Sequence, residues 1–215
     1  MKSSSFNAQA IGKVVCVGRN YAEHARELGN EVPSSPLLFM KPTSSIVSMD
    51  NDIVRPNVTL YGDTHYEAEL CIQLSADLNA ASIEQAKRAI GGIALGLDLT
   101  LRDMQSQLKA KGQPWERAKC FNGACVLGTW IDPKPFGDLR QVQYQLYINN
   151  KLKQEGDTAL MLFPIYDLLA EISHAFSLQA GDVVMTGTPS GVGILQSEDK
   201  LRLVLGEHEW CAHVQ

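Results

Sequence analysis

Residues 66–74, Y-E-A-E-L-C-I-Q-L, and residues 93–101, I-A-L-G-L-D-L-T-L, decide how this chain folds. In the first stretch Glu67, Glu69, Cys71 and Gln73 alternate with Ala68, Leu70, Ile72 and Leu74, the period of a β-strand carrying two carboxylates on one face. In the second, every odd position is Ile or Leu, while the other face reads Ala94, Gly96, Asp98, Thr100. A lone carboxylate among small side chains leaves room for something to bind.

Around these two strands the remaining elements follow from local signals. An apolar run over 13–17 predicts a strand, and Asn20 stands as a plausible N-cap of a short helix that Gly29 ends. Residues 37–40 predict a second buried strand, followed by loop with at most an edge strand to about Gly62. Ser82 and Gln85 form a capping-box pair for a helix closed by Gly91-Gly92. A further helix over 101–111, ended by Gly112 and Pro114, sets Arg102 and Gln105 on one face just beyond Asp98. Val142 to Ile148 alternate into an Asn149-Asn150 hairpin turn, and Pro164 suits the first position of a packing helix through Phe176. Val183 to Met185 lead into T-G-T-P-S-G-V-G, and a last hairpin turns at Gly206-Glu207. The sum is an α+β chain with a β-dominated core: a single domain over 13–215 behind an N-terminal extension, 1–12, with no linker or repeat.

Composition narrows the function classes. The 215 residues carry 19 Lys and Arg against 24 Asp and Glu, a formal charge of -5, and no basic run, which excludes nucleic acid and anionic lipid as expected partners. Apolar runs fall far short of the roughly 20 residues of a membrane-spanning helix. The first twelve residues lack the apolar stretch of a secretory leader, so the expected location is cytoplasmic. Cys16, Cys71, Cys120, Cys125 and Cys211 include no C-x-x-C pair and read as reduced thiols, neither a disulfide framework nor a thiolate metal site.

Candidate chemistry gathers on a few side chains. Glu67 and Glu69 lie about 6.5 Å apart along a strand, close enough to converge on one ion, although a solvated acidic face reads the same way. Asp98 adds a third carboxylate whose burial is costly without a partner, and all-oxygen ligation favours Mg²⁺, with Mn²⁺ possible and Ca²⁺ less suited. His24 and Glu27, three apart on a helix, share a face as a base and its orienting carboxylate, or stand exposed as ordinary surface residues. Lys41 and Lys119 read equally well as snorkelling lysines, and Arg102 as a carboxylate fork or a partner of Asp103. The glycines of 186–193 and the Thr188 hydroxyl offer an anion nest but no phosphate loop.

Taken in order, V-C-V-G-R-N-Y-A-E-H-A-R-E-L-G (15–29), L-L-F-M-K-P (37–42), E-A-E-L (67–70), A-L-G-L-D-L-T-L-R-D-M-Q (94–105), G-Q-P-W-E-R-A-K (112–119) and G-D-V-V-M-T-G-T-P-S-G-V-G (181–193) resemble the fumarylacetoacetate hydrolase family. Within it the chain is most similar to the small acylpyruvase and oxaloacetate-handling branch. The resemblance implies a mixed β-sandwich roll with a few peripheral helices, assembled as a homodimer. It implies a Mg²⁺ or Mn²⁺ site on Glu67, Glu69 and Asp98, and a catalytic set of His24, Glu27 and Lys119. Substrate-binding positions fall on Arg19, Lys41, Arg102, Gln105 and Thr188. Asn122, Ala124 and Val126 stand where the family more often has Asp, Ser and Pro, and Tyr66 replaces a common His; these departures bear on substrate fit.

The expected function is that of a metal-dependent enzyme of small 2-oxo and 2,4-dioxo acids, working through an enolate at C3. The expected reaction is acylpyruvate hydrolysis to pyruvate and a carboxylic acid, oxaloacetate decarboxylation, or both, with oxaloacetate keto-enol tautomerisation through the same species as the alternative. The rival expectation is a non-catalytic one, a dicarboxylate-binding or structural dimer whose acidic cluster merely holds an ion.

Overall fold

The computed structural model describes residues 11–215, so the expected extension 1–12 falls outside the described residues except for Ile11 and Gly12. The chain runs β1 (Val14–Gly18), α1 (Ala22–Glu27), β2 (Leu37–Lys41), β3 (Ile46–Ser48) and α2 (Val58–Tyr61). It continues through β4 (Thr64–Tyr66), β5 (Ala68–Leu74), α3 (Ile83–Arg88), β6 (Ile90–Asp98), β7 (Thr100–Leu101), α4 (Arg102–Ala110) and α5 (Glu116–Lys119). After β8 (Cys125–Leu127) come β9 (Gln143–Ile148), β10 (Lys151–Asp157), α6 (Ile165–Ala175), β11 (Val183–Met185), β12 (Gly193–Ile194), β13 (Lys200–Leu205) and β14 (His208–His213).

These strands build three sheets. The largest has seven strands in the order β2-β1-β11-β5-β6-β8-β3, antiparallel except where β1 meets β11 and β3 meets β8. A four-stranded antiparallel sheet, β10-β9-β13-β14, packs its apolar face into the same core, and β12-β4-β7 form a small third sheet. The result is the expected α+β architecture of curled sheets with few helices.

Several local signals act as read. Ser82 and Gln85 make the full capping box of α3. Asn149 and Asn150 both adopt left-handed φ, 51° and 61°, the geometry of a type I′ turn between β9 and β10.

Four expectations are corrected by long-range contacts. Residues 66–74 and 93–101 are not single strands: the first breaks at Glu67 and the second at Leu99, where the chain passes from the seven-stranded sheet into the small one. The backbone stays tied across the break by Asp98 N–H donating to Glu67 O (2.9 Å). Asn20 does not cap α1; its amide donates to Phe163 O (3.1 Å) and Thr186 O (2.8 Å), and its carbonyl accepts from Phe163 N (2.8 Å). Gly91-Gly92 belong to β6 and end no helix: α3 stops at Arg88, and a side chain at Gly91 would meet Ser75 at 2.6 Å while one at Gly92 would sit tightly against Trp130. Pro164 takes the N-cap position, one residue before the helix.

Candidate active site

Register on the seven-stranded sheet assembles the floor of the site. Pairing sets Glu69 opposite Gly96 and Asp98 opposite Cys125, so Glu69, Gly96 and Asp98 share one face. Gly96 is required there: a Cβ would stand 2.7 Å from both Cys71 Sγ and Val126 O. Glu67 enters from the break between β4 and β5. One oxygen from each of Glu67, Glu69 and Asp98 lies within 4.8 Å of the others, and all three residues are buried.

Three cations oppose these three carboxylates, but unevenly. Lys119, on the last turn of α5, donates to Glu67 Oε2 (2.8 Å) and Asp98 Oδ2 (2.7 Å). Arg102, at the start of α4, pairs with Glu67 rather than Asp103 and donates to Gln105 Oε1 (2.8 Å). Lys41, wholly buried at the end of β2, lies 2.8 Å from Asp98 Oδ1, outside hydrogen-bonding angles, so that oxygen has no hydrogen-bond partner among the described residues. Its ammonium also reaches the carbonyls of Leu99 and Lys119. Glu69 makes no ion pair among the described residues; its Oε2 accepts the Gly187 N–H (2.7 Å), from a glycine at φ +101°.

The electrostatics follow that inequality. Burial raises the Glu69 carboxyl well above its ordinary value, and Asp98 and Glu67 push the same way. Burial also opposes ionisation of Glu67, but Lys119 and Arg102 outweigh it and hold that carboxyl well below the usual range. For Lys119 burial alone would favour the neutral amine; Asp98 and Glu67 win, and the ammonium is retained. A buried carboxylate with no cation and an Asp98 oxygen with no hydrogen bond are what a hard divalent ion would satisfy, so the residues fit such an ion.

His24 and Glu27 do meet on α1, with Nδ1 and Oε2 3.5 Å apart, at the outer limit of a hydrogen bond. Glu27 also accepts the Gly191 N–H at 3.0 and 3.2 Å. Thus the glycine-rich turn after β11 is no free anion nest: its N–H groups at Gly187 and Gly191 serve Glu69 and Glu27. Burial holds the His24 imidazole below its ordinary value, with Glu67 opposing and Arg102 assisting. The ring is therefore neutral at pH 7, the state a base needs.

A cavity of about 40 Å³ opens above the carboxylates. Arg19, His24, Arg102, Gln105, Lys119 and Thr188 line it with the acidic triad, whereas Lys41 and Glu27 do not. The Thr188 hydroxyl is already engaged, donating to Ala68 O (2.9 Å) and accepting from Gln154 Nε2 (2.8 Å). Lys109, Asn30, Phe39 and Trp115 also line the cavity and were not singled out from the sequence. For Lys109 the signal was there, since it follows Arg102 by seven residues on one helix face.

Known proteins resemble the chain along most of its length. The family model described as fumarylacetoacetate (FAA) hydrolase C-terminal matches residues 13–212. Over 205 residues the chain is 42% identical to the oxaloacetate tautomerase YcgM of Escherichia coli (strain K12), covering 95% of this chain and 93% of that one. It is 39% identical over 181 residues to a mitochondrial oxaloacetate decarboxylase of Dictyostelium discoideum, covering 84% and 83%. The crystal structure of fumarylpyruvate hydrolase from Pseudomonas aeruginosa in complex with Mn²⁺ and pyruvate superposes with a TM-score of 0.88 at 31% identity, covering 95% and 89%. The chain belongs to the fumarylacetoacetate hydrolase family.

Proposed function

We propose that this chain is a divalent-metal-dependent enzyme of small 2-oxo acids that interconverts the keto and enol forms of oxaloacetate through an enolate at C3. The observation that carries this reading is a buried, neutral imidazole, His24, beside Glu27 on the same small cavity as three clustered carboxylates and the Lys119 ammonium. Tautomerisation asks for a base at C3 and a positive environment at the 2-oxo oxygen, and needs no separate binding site for a hydrolytic water.

Glu67, Glu69 and Asp98 would hold the ion, which when bound supplies Lewis acidity at the 2-oxo oxygen. His24 takes a proton from C3, and Glu27 keeps the ring turned for that transfer. Lys119, fixed between Glu67 and Asp98, adds positive charge where the enolate oxygen develops. Returning the proton to C3 gives the keto form; delivering it to oxygen gives the enol. Arg102 and Gln105, joined to each other, orient the carboxylate next to the oxo group. Mg²⁺ as the ion, a homodimeric assembly and a cytoplasmic setting belong to the same reading; among the described residues no helix is long and apolar enough to cross a membrane.

A second reading draws on the apolar side of the cavity. Phe39 and Trp115, with ring centroids 5.8 Å apart, form a wall next to Lys119 that suits the acyl group of an acylpyruvate. There the same enolate would leave as pyruvate after C–C cleavage. A proton NMR time course of oxaloacetate and acetylpyruvate with Mg²⁺, against an EDTA control, separates the two. Protein-dependent keto-enol exchange without pyruvate supports the tautomerase; pyruvate from acetylpyruvate as the faster process supports the hydrolase; neither process in the Mg²⁺ arm overturns both.

A further inference from the structure

Helix α4 turns one row of side chains into the cavity: Arg102, Gln105 and Lys109, at positions i, i+3 and i+7. The first two have partners, in Glu67 and in each other. Lys109 has no carboxylate. Its ammonium donates to Asn30 Oδ1 (2.7 Å), and Asn30 is itself fixed by its N–H donating to Ala25 O (2.8 Å) just past α1.

Arg19 lines the same cavity, with no ion pair or hydrogen bond from its side chain among the described residues. Its backbone adopts φ +59°, a conformation that disfavours a non-glycine residue, and the neighbouring Asn20 side chain is anchored to Phe163 and Thr186. Burial and the proximity of Arg19 and Arg102 disfavour the charged form of Lys109. The acids lining the cavity are the floor triad, already faced by Lys119, Arg102 and Lys41. Two further basic side chains thus line the cavity without an anion to match them among the described residues, which is unfavourable until one arrives.

We propose that Lys109, held by Asn30 and near Arg19, is the specificity-determining residue that binds a second carboxylate of the substrate, so that the cavity takes 2-oxo dicarboxylates over 2-oxo acids with a neutral tail. The geometry is suitable. Residues seven apart lie about 10 Å apart along a helix, and a long helical side chain leans back toward the N-terminus, which carries the Lys109 ammonium toward Gln105 and Arg102. The first carboxylate is then bound near Arg102 and Gln105, and the far one meets Lys109.

This inference rests on the enolate reading, and the experiment keeps the two apart. Binding of L-malate and lactate, which differ by one carboxylate, is measured by calorimetry on the Mg²⁺-loaded protein for wild type, Lys109→Met and Lys109→Arg. The expected wild-type preference for malate is about tenfold or more; Lys109→Met erases most of it, and Lys109→Arg restores most of it. In turnover, the ratio of kcat/KM for oxaloacetate over acetylpyruvate falls by about the same factor in Lys109→Met, mainly through KM. A preference that survives Lys109→Met, or no preference in the wild type, overturns the proposal. A malate preference that depends on Lys109 in a protein that turns over neither oxo acid sustains this inference and overturns the enolate reading instead.

Discussion

The four-stranded and seven-stranded sheets share one core but solve opposite problems. On β9 and β13 burial alternates: Tyr144, Leu146, Ile148, Leu201, Leu203 and Leu205 face inward, while Gln145, Tyr147, Arg202 and Val204 stay partly exposed. On β5 and β6 nearly every residue is buried on both faces, yet this is where Glu69 and Asp98 sit. A one-sided sheet leaves its polar groups to water. A two-sided sheet must neutralise its own charges, and this one recruits Lys41, Lys119 and Arg102 from three other elements to do so. Apolar residues would hold such a core at least as well, so the charges are retained for what they bind.

Removing one ion-pair member from each sheet tests that contrast most strongly. Lys119→Met strips the cation shared by Glu67 and Asp98 and is expected to cost about 3–5 kcal/mol in urea unfolding of the metal-free protein. Arg202→Ala breaks the exposed pair with Glu209 on the four-stranded sheet and is expected to cost about 0–1 kcal/mol. Equal losses would mean that the buried charges are no more interdependent than the surface ones.

Packing gives a smaller version of the same test. Gly96→Ala forces a methyl against Cys71 Sγ and the Val126 carbonyl and is expected to cost about 1–3 kcal/mol, with weaker Mn²⁺ binding in titration because Glu69 and Asp98 are spread apart. Val204→Ala, on the outward face of β13, should stay within about 0.5 kcal/mol. If Gly96→Ala left both stability and Mn²⁺ binding unchanged, the floor would be looser than its register implies.

The sequence was easiest to read where local pattern and tertiary demand agree. The hairpin at Asn149-Asn150, the Ser82–Gln85 capping box and the gathering of Glu69 and Asp98, on neighbouring strands, with Glu67 are such places. It misled where a distant contact decides. Alternation runs through Glu67 and Leu99 without a mark, because which sheet a strand joins depends on partners far along the chain. Asn20 has the composition of a cap but is used by Phe163 and Thr186, and Gly91-Gly92 look like a helix stop but lie in β6 against Ser75 and Trp130. Lys41 shows the limit for the site itself: the motif marks the residue, but only burial shows its ammonium against Asp98 rather than lining the cavity.

The smallest expected effect separates the two sheets by pH. His24 has its folded value below the ordinary 6.5, first because it is buried, with Arg102 assisting and Glu67 opposing. Between the folded and unfolded values the unfolded chain binds the extra proton, so stability rises with pH there and falls as pH drops below 6.5, by at most about 1.4 kcal/mol per pH unit for one group. His65, half-buried and near Arg102, acts in the same direction. The Glu67 contribution is lost only in more acid solution, since its carboxyl is held well below its ordinary 4.5, whereas the raised Glu69 carboxyl works against the imidazoles, so their part is read as a difference between variants. Urea unfolding just under pH 6.5 should show the same dependence in wild type and Arg202→Ala, and in His24→Gln a smaller gain of stability with rising pH. The acid limb of kcat/KM should lie below pH 6.5 as well, because the protonated ring is no base. An acid limb centred above that value would mean either that the folded imidazole is not held below its ordinary value or that another group is the base, and an unchanged limb in His24→Gln would remove His24 from the role.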